Sequence, residues 1–169
     1  MYSVSNDYLT AIASNARAHK ISGTVRGTSF DDGDIIRNSF VYKNQFCPAT
    51  EIELGGVYVG ELDLTFTEAF ANTMNIRGSW RGLSITLSFG VELEDSSFEY
   101  VPIGVFTIEQ AVWSDAGLKV VAYDNMSLFD KTAQFNTTSG SLFDLLSLIC
   151  TSCSATLGMT QAECEALPN

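Results

Sequence analysis

The most regular stretch of the chain is 85–93, where Ile85, Leu87, Phe89, Val91 and Leu93 alternate with Thr86, Ser88, Gly90 and Glu92. A period of two marks a strand with one face in a core, and a slip of one residue would turn five apolar side chains into water. The same period places Leu62, Leu64 and Phe66 on one face of 57–66 and Glu61, Asp63 and Thr65 on the other. Residues 21–27 alternate more weakly. The cluster Asp31-Asp32-Gly33-Asp34 predicts a turn before another strand over 35–42. Further strands are expected at 98–101, 104–110 and 118–123, separated by the turns Glu94-Asp95-Ser96-Ser97 and Asp115-Ala116-Gly117. Pro102 interrupts this run and has no N–H to give to a ladder, which predicts an edge or a bulge there.

Helical spacing frames this β-rich middle. Over 5–18, Tyr8, Leu9, Ile12, Ala13 and Ala16 share one face, with Ser5 or Asn6 as cap, Asp7 at the positive end and Arg17 and Lys20 near the negative end. That face is expected to pack on a sheet. Residues 125–130 fit one helical turn, and Ser141 opens a helix with Leu142, Leu145, Leu146 and Ile149 on one face. Thr160-Gln161-Ala162-Glu163 is a capping-box pattern for a last short helix. The expected fold is therefore α+β and β-rich, an antiparallel meander or small barrel flanked by short helices. Residues 1–130 form its β-rich domain with an N-terminal helix, and 131–169 a helical segment.

Composition narrows the chemistry. The chain has 169 residues, 46% of them hydrophobic, enough for one packed core. Twenty acids against nine bases give a net charge of −11, which repels a phosphate backbone, so no specific nucleic-acid binding is expected. The excess is concentrated in 92–169, where only Lys119 and Lys131 are basic. No apolar run reaches the roughly 18 residues of a membrane span, and the start lacks the basic and apolar parts of a signal peptide, so a cytoplasmic origin is expected. In that setting Cys47, Cys150, Cys153 and Cys164 read as free thiols. The Cys150-x-x-Cys153 spacing is shared with zinc and redox sites but has no second pair and no nearby histidine.

Catalytic signals are sparse. His19 is the single histidine, and no serine sits in a nucleophile elbow. Gly55-Gly56 and 78–82 match no phosphate-binding fingerprint and read as turns. Asp31, Asp32 and Asp34 resemble part of a calcium loop, but Phe40, Val41 and Tyr42 stand where further oxygen ligands belong. No enzyme activity and no cofactor are expected. Trp80 and Trp113 flank the central strands, as core lids or interface anchors. A rival reading is a small-molecule or carbohydrate-binding β-domain whose sugar face is lined by Trp80, Trp113 and Tyr123.

Several segments, taken in order, carry a family resemblance. They are Ile21-Ser22-Gly23-Thr24-Val25, Asp34-Ile35-Ile36 and Leu54-Gly55-Gly56-Val57-Tyr58-Val59-Gly60-Glu61-Leu62. Downstream come Gly78-Ser79-Trp80-Arg81-Gly82, Val101-Pro102-Ile103-Gly104-Val105-Phe106-Thr107-Ile108 and Val121-Ala122-Tyr123-Asp124-Asn125-Met126. Over 5–165 this order and spacing resembles the N-terminal region of tail-hub and tail-associated, baseplate hub-like proteins of bacteriophages and prophages.

The resemblance implies a non-catalytic structural component of a tail tip, a hub or adaptor that links the tail tube to distal adhesion or lytic parts. It further implies the distal tail protein and the tape measure as partners, a homo-trimer in the full-length assembly, no membrane contact, and a location in the virion tail tip or, during assembly, the host bacterial cytoplasm. Relatives are much longer, so 131–169 is expected to begin a further domain of a longer parent. Such a module must keep apolar surface for its neighbours, and Trp80, Phe70 and Phe98 are the expected anchors. A ring that passes DNA would also gather Glu92, Glu94, Asp95, Glu99 and Asp115 on one concave face.

Overall fold

The computed structural model describes residues 2–14, 18–44, 58–74, 79–129 and 140–166. Cys47, Gly55-Gly56, Gly78 and Lys131 lie outside them, as does the end of the expected first helix. In chain order the elements are α1 (Asn6–Ala13), β1 (His19–Val25), β2 (Thr28–Asp31), a 3-10 turn (Asp32–Asp34), β3 (Val41–Lys43), β4 (Glu61–Phe66) and α2 (Glu68–Thr73). They continue with β5 (Ser84–Glu92), β6 (Phe98–Ser114), β7 (Gly117–Asp124), a 3-10 turn (Asn125–Phe129), α3 (Leu142–Ser152) and α4 (Gln161–Glu165). The β-rich α+β architecture expected from the periodicity is present.

All strand pairs are antiparallel, in the order β2-β1-β5-β6-β7-β4-β3. The two outermost strands follow one another in the chain, so the sheet is drawn round on itself. After β2 the chain leaves β1 at the pair Ser22 and Asp31, turns through Asp32–Asp34, and reaches β4. There Ile35 bridges Phe66, the Ile36 N–H donates to the Thr65 carbonyl at 2.8 Å, and the Thr67 N–H donates to the Asp34 carbonyl at 2.8 Å. The expected strand 35–42 is thus split. Asn38 takes φ 61, and regular pairing resumes only at Val41.

A second long element does the same on the far side. Residues 98–107 of β6 pair with β5, and 106–114 pair with β7. Two irregularities allow the change of partner. Leu87 faces Gly104 while Ser88 faces Pro102, leaving Ile103 as the extra residue, and Ile108 and Gln110 meet consecutive residues of β7, leaving Glu109. Bulges bend a strand and increase its twist, which is what a sheet needs to close round a core. Pro102 sits where β6 has a strand partner on the β5 side alone among the described residues, so its missing N–H costs the other flank no ladder bond.

The barrel interior follows the alternation. Val25, Leu62, Leu64, Phe66, Ile85, Ile108, Val120 and Ala122 are fully buried in one cluster with Leu87, Phe106 and Leu118. Phe66 is its aromatic centre, with Phe70 at 4.9 Å, Phe30 at 5.1 Å and Trp80 at 6.2 Å between ring centroids. Of the face expected over 85–93, Phe89 is half-buried against the core and Leu93 lies just beyond the strand.

α1 packs on β5 as expected, but Tyr8 is its one buried side chain, and Leu9 and Ile12 remain exposed. Its cap is tied to the barrel. Ser5 Oγ accepts from the Tyr8 N–H at 3.0 Å and donates to Glu99, while the Ser5 N–H donates to Glu99 at 2.9 Å. α3 and α4 pack chiefly on each other, each closed by a capping box, Ser141 with Asp144 and Thr160 with Glu163. Cys150, Cys153 and Cys164 are buried as free thiols. Among the described residues no helix is long and apolar enough to cross a membrane.

Candidate functional site

The split of the 28–43 segment between two neighbours opens a wedge in the barrel wall. β2 stops pairing with β1 at Ser22, so His19, Lys20 and Ile21 have no strand beside them on that flank among the described residues. The space holds a cavity of about 490 Å³ lined by His19, Ile21, Asp32, Ile35, Arg37 and Phe89, together with Ile36, Asn38 and Phe40. That volume lies within the range of small-ligand and anchor-residue pockets. Ile21 and Ile35 are buried, Phe89 and Phe40 half-buried, and His19, Asp32, Arg37 and Asn38 exposed. The floor is apolar and the rim polar. The His19 ring stacks on Phe89 at 5.5 Å with 21° between planes.

Among the described residues Lys43 pairs with Glu61 at 2.8 Å, Lys119 with Asp63 at 3.2 Å, and Arg81 with Glu109, while Lys20 lies over the Phe98 ring at 4.4 Å. Arg37, like Arg26, has no such partner, and it does not pair with Asp32 although both line the same cavity. Asp31 and Asp34 are occupied by the turn itself. Asp31 accepts from the Gly33 N–H at 2.8 Å, and Asp34 accepts from the Asp31 N–H at 3.1 Å.

A second polar cluster secures the end of β7, and its role is structural. The Asp124 carboxylate accepts from the Gly60 N–H and the Met126 N–H, each at 3.0 Å, which ends the strand and starts the following turn. Burial, and then the nearby Asp124 charge, raises the Tyr42 phenol above its ordinary value, so Tyr42 stays neutral. Among the described residues no three or more His, Cys, Asp and Glu side chains gather as a metal-binding group.

The expected anchors separate. Phe70 and Trp80 are 5% and 6% exposed and belong to the aromatic core around Phe66, which corrects the expectation that they are left on the surface. The reason is geometric. Thr67 caps α2, its hydroxyl accepting from the Phe70 N–H at 3.3 Å, and this turns Phe70 inward over Phe66. Phe98 is half-buried beneath Lys20. Trp80 in the interior also removes a shared face of Trp80, Trp113 and Tyr123, since Trp113 is 52% exposed near the β6–β7 turn and Tyr123 is half-buried on β7. The acids divide as well. Glu92, Glu94, Asp95 and Glu99 surround the β5–β6 turn, and Asp115 lies beyond the opposite end of the 17-residue β6.

Sequence reasoning missed the seam, because it depends on where β2 stops. It also missed α2, whose signal was Thr67 followed by Glu68. The exposed apolar side chains include others than expected, among them Val112 and Trp113 on the β6–β7 hairpin, and Leu142, Leu145 and Leu148 on α3. No known protein-family model matches the chain, and no curated protein matches it.

Proposed function

We propose that this chain is a non-catalytic structural module of a phage or prophage tail tip, a hub or adaptor that joins the tail tube to distal adhesion or lytic parts through protein contacts. The observation that carries the reading is the position of the apolar groups outside the core. They include Val112 and Trp113 on the β6–β7 hairpin, Leu142, Leu145 and Leu148 on α3, and Leu9 and Ile12 on α1, with Tyr2, Val41, Tyr100, Val105 and Met126 exposed elsewhere. Large apolar side chains left exposed favour association, and Trp is prominent among interface anchors. The order of motifs over 5–165 supports the same reading, with the distal tail protein and tape measure as partners and a homo-trimer in the full-length assembly.

The test is co-expression with a distal tail protein and a tape-measure protein of a phage tail, followed by size-exclusion chromatography with light scattering. The expected result is a stable complex that Trp113→Ser combined with Leu145→Gln weakens at least tenfold. The absence of both a complex and self-association at high concentration would overturn the reading.

A further inference from the structure

The wedge at the barrel seam has the components of a strand-accepting groove. The Glu92 N–H donates to the Ala18 carbonyl at 3.1 Å, and the Arg26 N–H donates to the Ser84 carbonyl at 3.2 Å. Backbone groups of even-numbered residues at both ends of β1 therefore face β5. By the alternation of an antiparallel ladder, those of His19 and Ile21 face the opposite flank, where β2 has ended. Their side chains point into the barrel mouth, because Ile21 lies directly opposite Phe89 and both contact the core.

We infer that this seam binds an extended segment of a partner polypeptide, which adds a short strand beside His19–Ile21, sets an apolar side chain over Ile21, Ile35 and Phe89, and places a carboxylate on Arg37. The inference rests on the reading of the chain as an assembly module and specifies the chemistry of one partner.

Three observations select this occupant. An exposed strand edge offers main-chain bonds that a peptide satisfies and a compact ligand does not. The apolar floor under that edge suits a side chain on one face of an added strand. Arg37 is a cation without an ion pair among the described residues of a chain of net charge −11, so charge complementarity at this point calls for an acid. Asp32 on the same cavity disfavours the carboxylate at its own position, which gives the bound segment a polarity. Long-range repulsion from the acidic surface is screened by salt, so the carboxylate sets register more than encounter rate.

The experiment is a titration of the full ¹⁵N-labelled chain with the capped peptide Ac-Thr-Leu-Thr-Leu-Asp-NH₂, followed by amide shifts. Three comparisons accompany it: the same peptide with Lys for Asp, the same peptide N-methylated at its central residues, and the Arg37→Gln chain. Shifts at His19–Ile21 and 35–38 are expected, with the Lys peptide roughly fivefold weaker, as for a partly exposed ion pair. The N-methylated peptide should not bind. Arg37→Gln, an exposed position, should bring the Asp and Lys peptides to within about twofold of each other.

Equal binding of the N-methylated peptide, or shifts mapping elsewhere, would overturn the inference. So would shifts at these amides on concentrating the chain alone, since a second copy would then occupy the seam. A chain that ignores the peptide yet joins the tail proteins loses this inference and keeps the proposed function. One that takes the peptide at the seam but joins no tail protein does the reverse.

Discussion

The barrel and α3 both carry an apolar face and reach different states. Leu62, Leu64 and Phe66 on β4 are completely buried, whereas α3 leaves Leu142, Leu145 and Leu148 at 53%, 45% and 39% exposure and buries only Cys150. The barrel surrounds its core with counter-surface, because β6 bends at its two irregularities and the chain after β2 is bridged to β4 at Ile35 and Phe66. α3 meets chiefly the five-residue α4. An 11-residue helix is marginal without burial, so hydrogen bonds at the caps carry a larger share of its stability than they would in the barrel. A face of leucines is an offer of burial, and it is taken up only where another surface arrives.

The largest difference should appear in core deletions. Phe66→Ala removes the side chain that touches Phe30, Phe70 and Trp80 and should cost about 3–5 kcal/mol in urea unfolding, while Leu145→Ala should stay within about 0.5 kcal/mol. Comparable losses would show that α3 is as integrated as the barrel.

Glycine substitutions sharpen the same contrast. Gly117 has φ +137, and an added Cβ would lie 2.1 Å from the Phe66 carbonyl oxygen, so Gly117→Ala should lower stability by at least about 1–3 kcal/mol. Gly158, between α3 and α4, has open space around that position, and Gly158→Ala should change thermal unfolding by no more than about 0.5 kcal/mol.

Capping should matter locally. Ser141→Ala removes the acceptor for the Asp144 N–H at 3.2 Å and should weaken α3 by about 1 kcal/mol. Hydrogen exchange should show faster opening in α3 and unchanged protection in β4 to β7. Reduced protection in β4 to β7 would mean that the two regions unfold together.

The smallest effect is a pH response. Hydrogen bonds from the Ser141 side chain and then its N–H lower the Asp144 carboxyl, those from the Thr160 N–H and then its side chain lower Glu163, and those from the Ser5 side chain and then its N–H lower Glu99. A folded-state pKa below the unfolded value contributes stability above the unfolded value, and that contribution is lost as pH falls through the folded one. The window therefore opens below the ordinary values of 3.8 for Asp and 4.5 for Glu. Acidification through it should reduce helical circular dichroism before the emission of buried Trp80 changes. Simultaneous loss of both signals would contradict a barrel stabilised mainly by apolar burial.

Most strands and helix starts were legible because their signals are local. The alternation along β4 and β5, the caps Ser5, Ser141 and Thr160, the turns at 94–97 and 115–117, and the irregularity beside Pro102 depend on residues a few positions apart. They came out where the pattern placed them. The proposed tail role remains a reading of motif order and exposed side chains, since nothing local in the chain specifies a partner.

Tertiary structure decided the rest. Phe70 and Trp80 carry the same aromatic character as Trp113, yet two of them fill the core and one faces solvent, according to which distant segments reach them. The seam exists because the chain leaves β1 after Asp31 and pairs with β4 at Ile35, a long-range exchange of hydrogen-bond partners that no periodicity encodes. Periodicity determines which side of an element seeks burial. Closure of the sheet determines which of those sides obtain it, because burial requires a second surface.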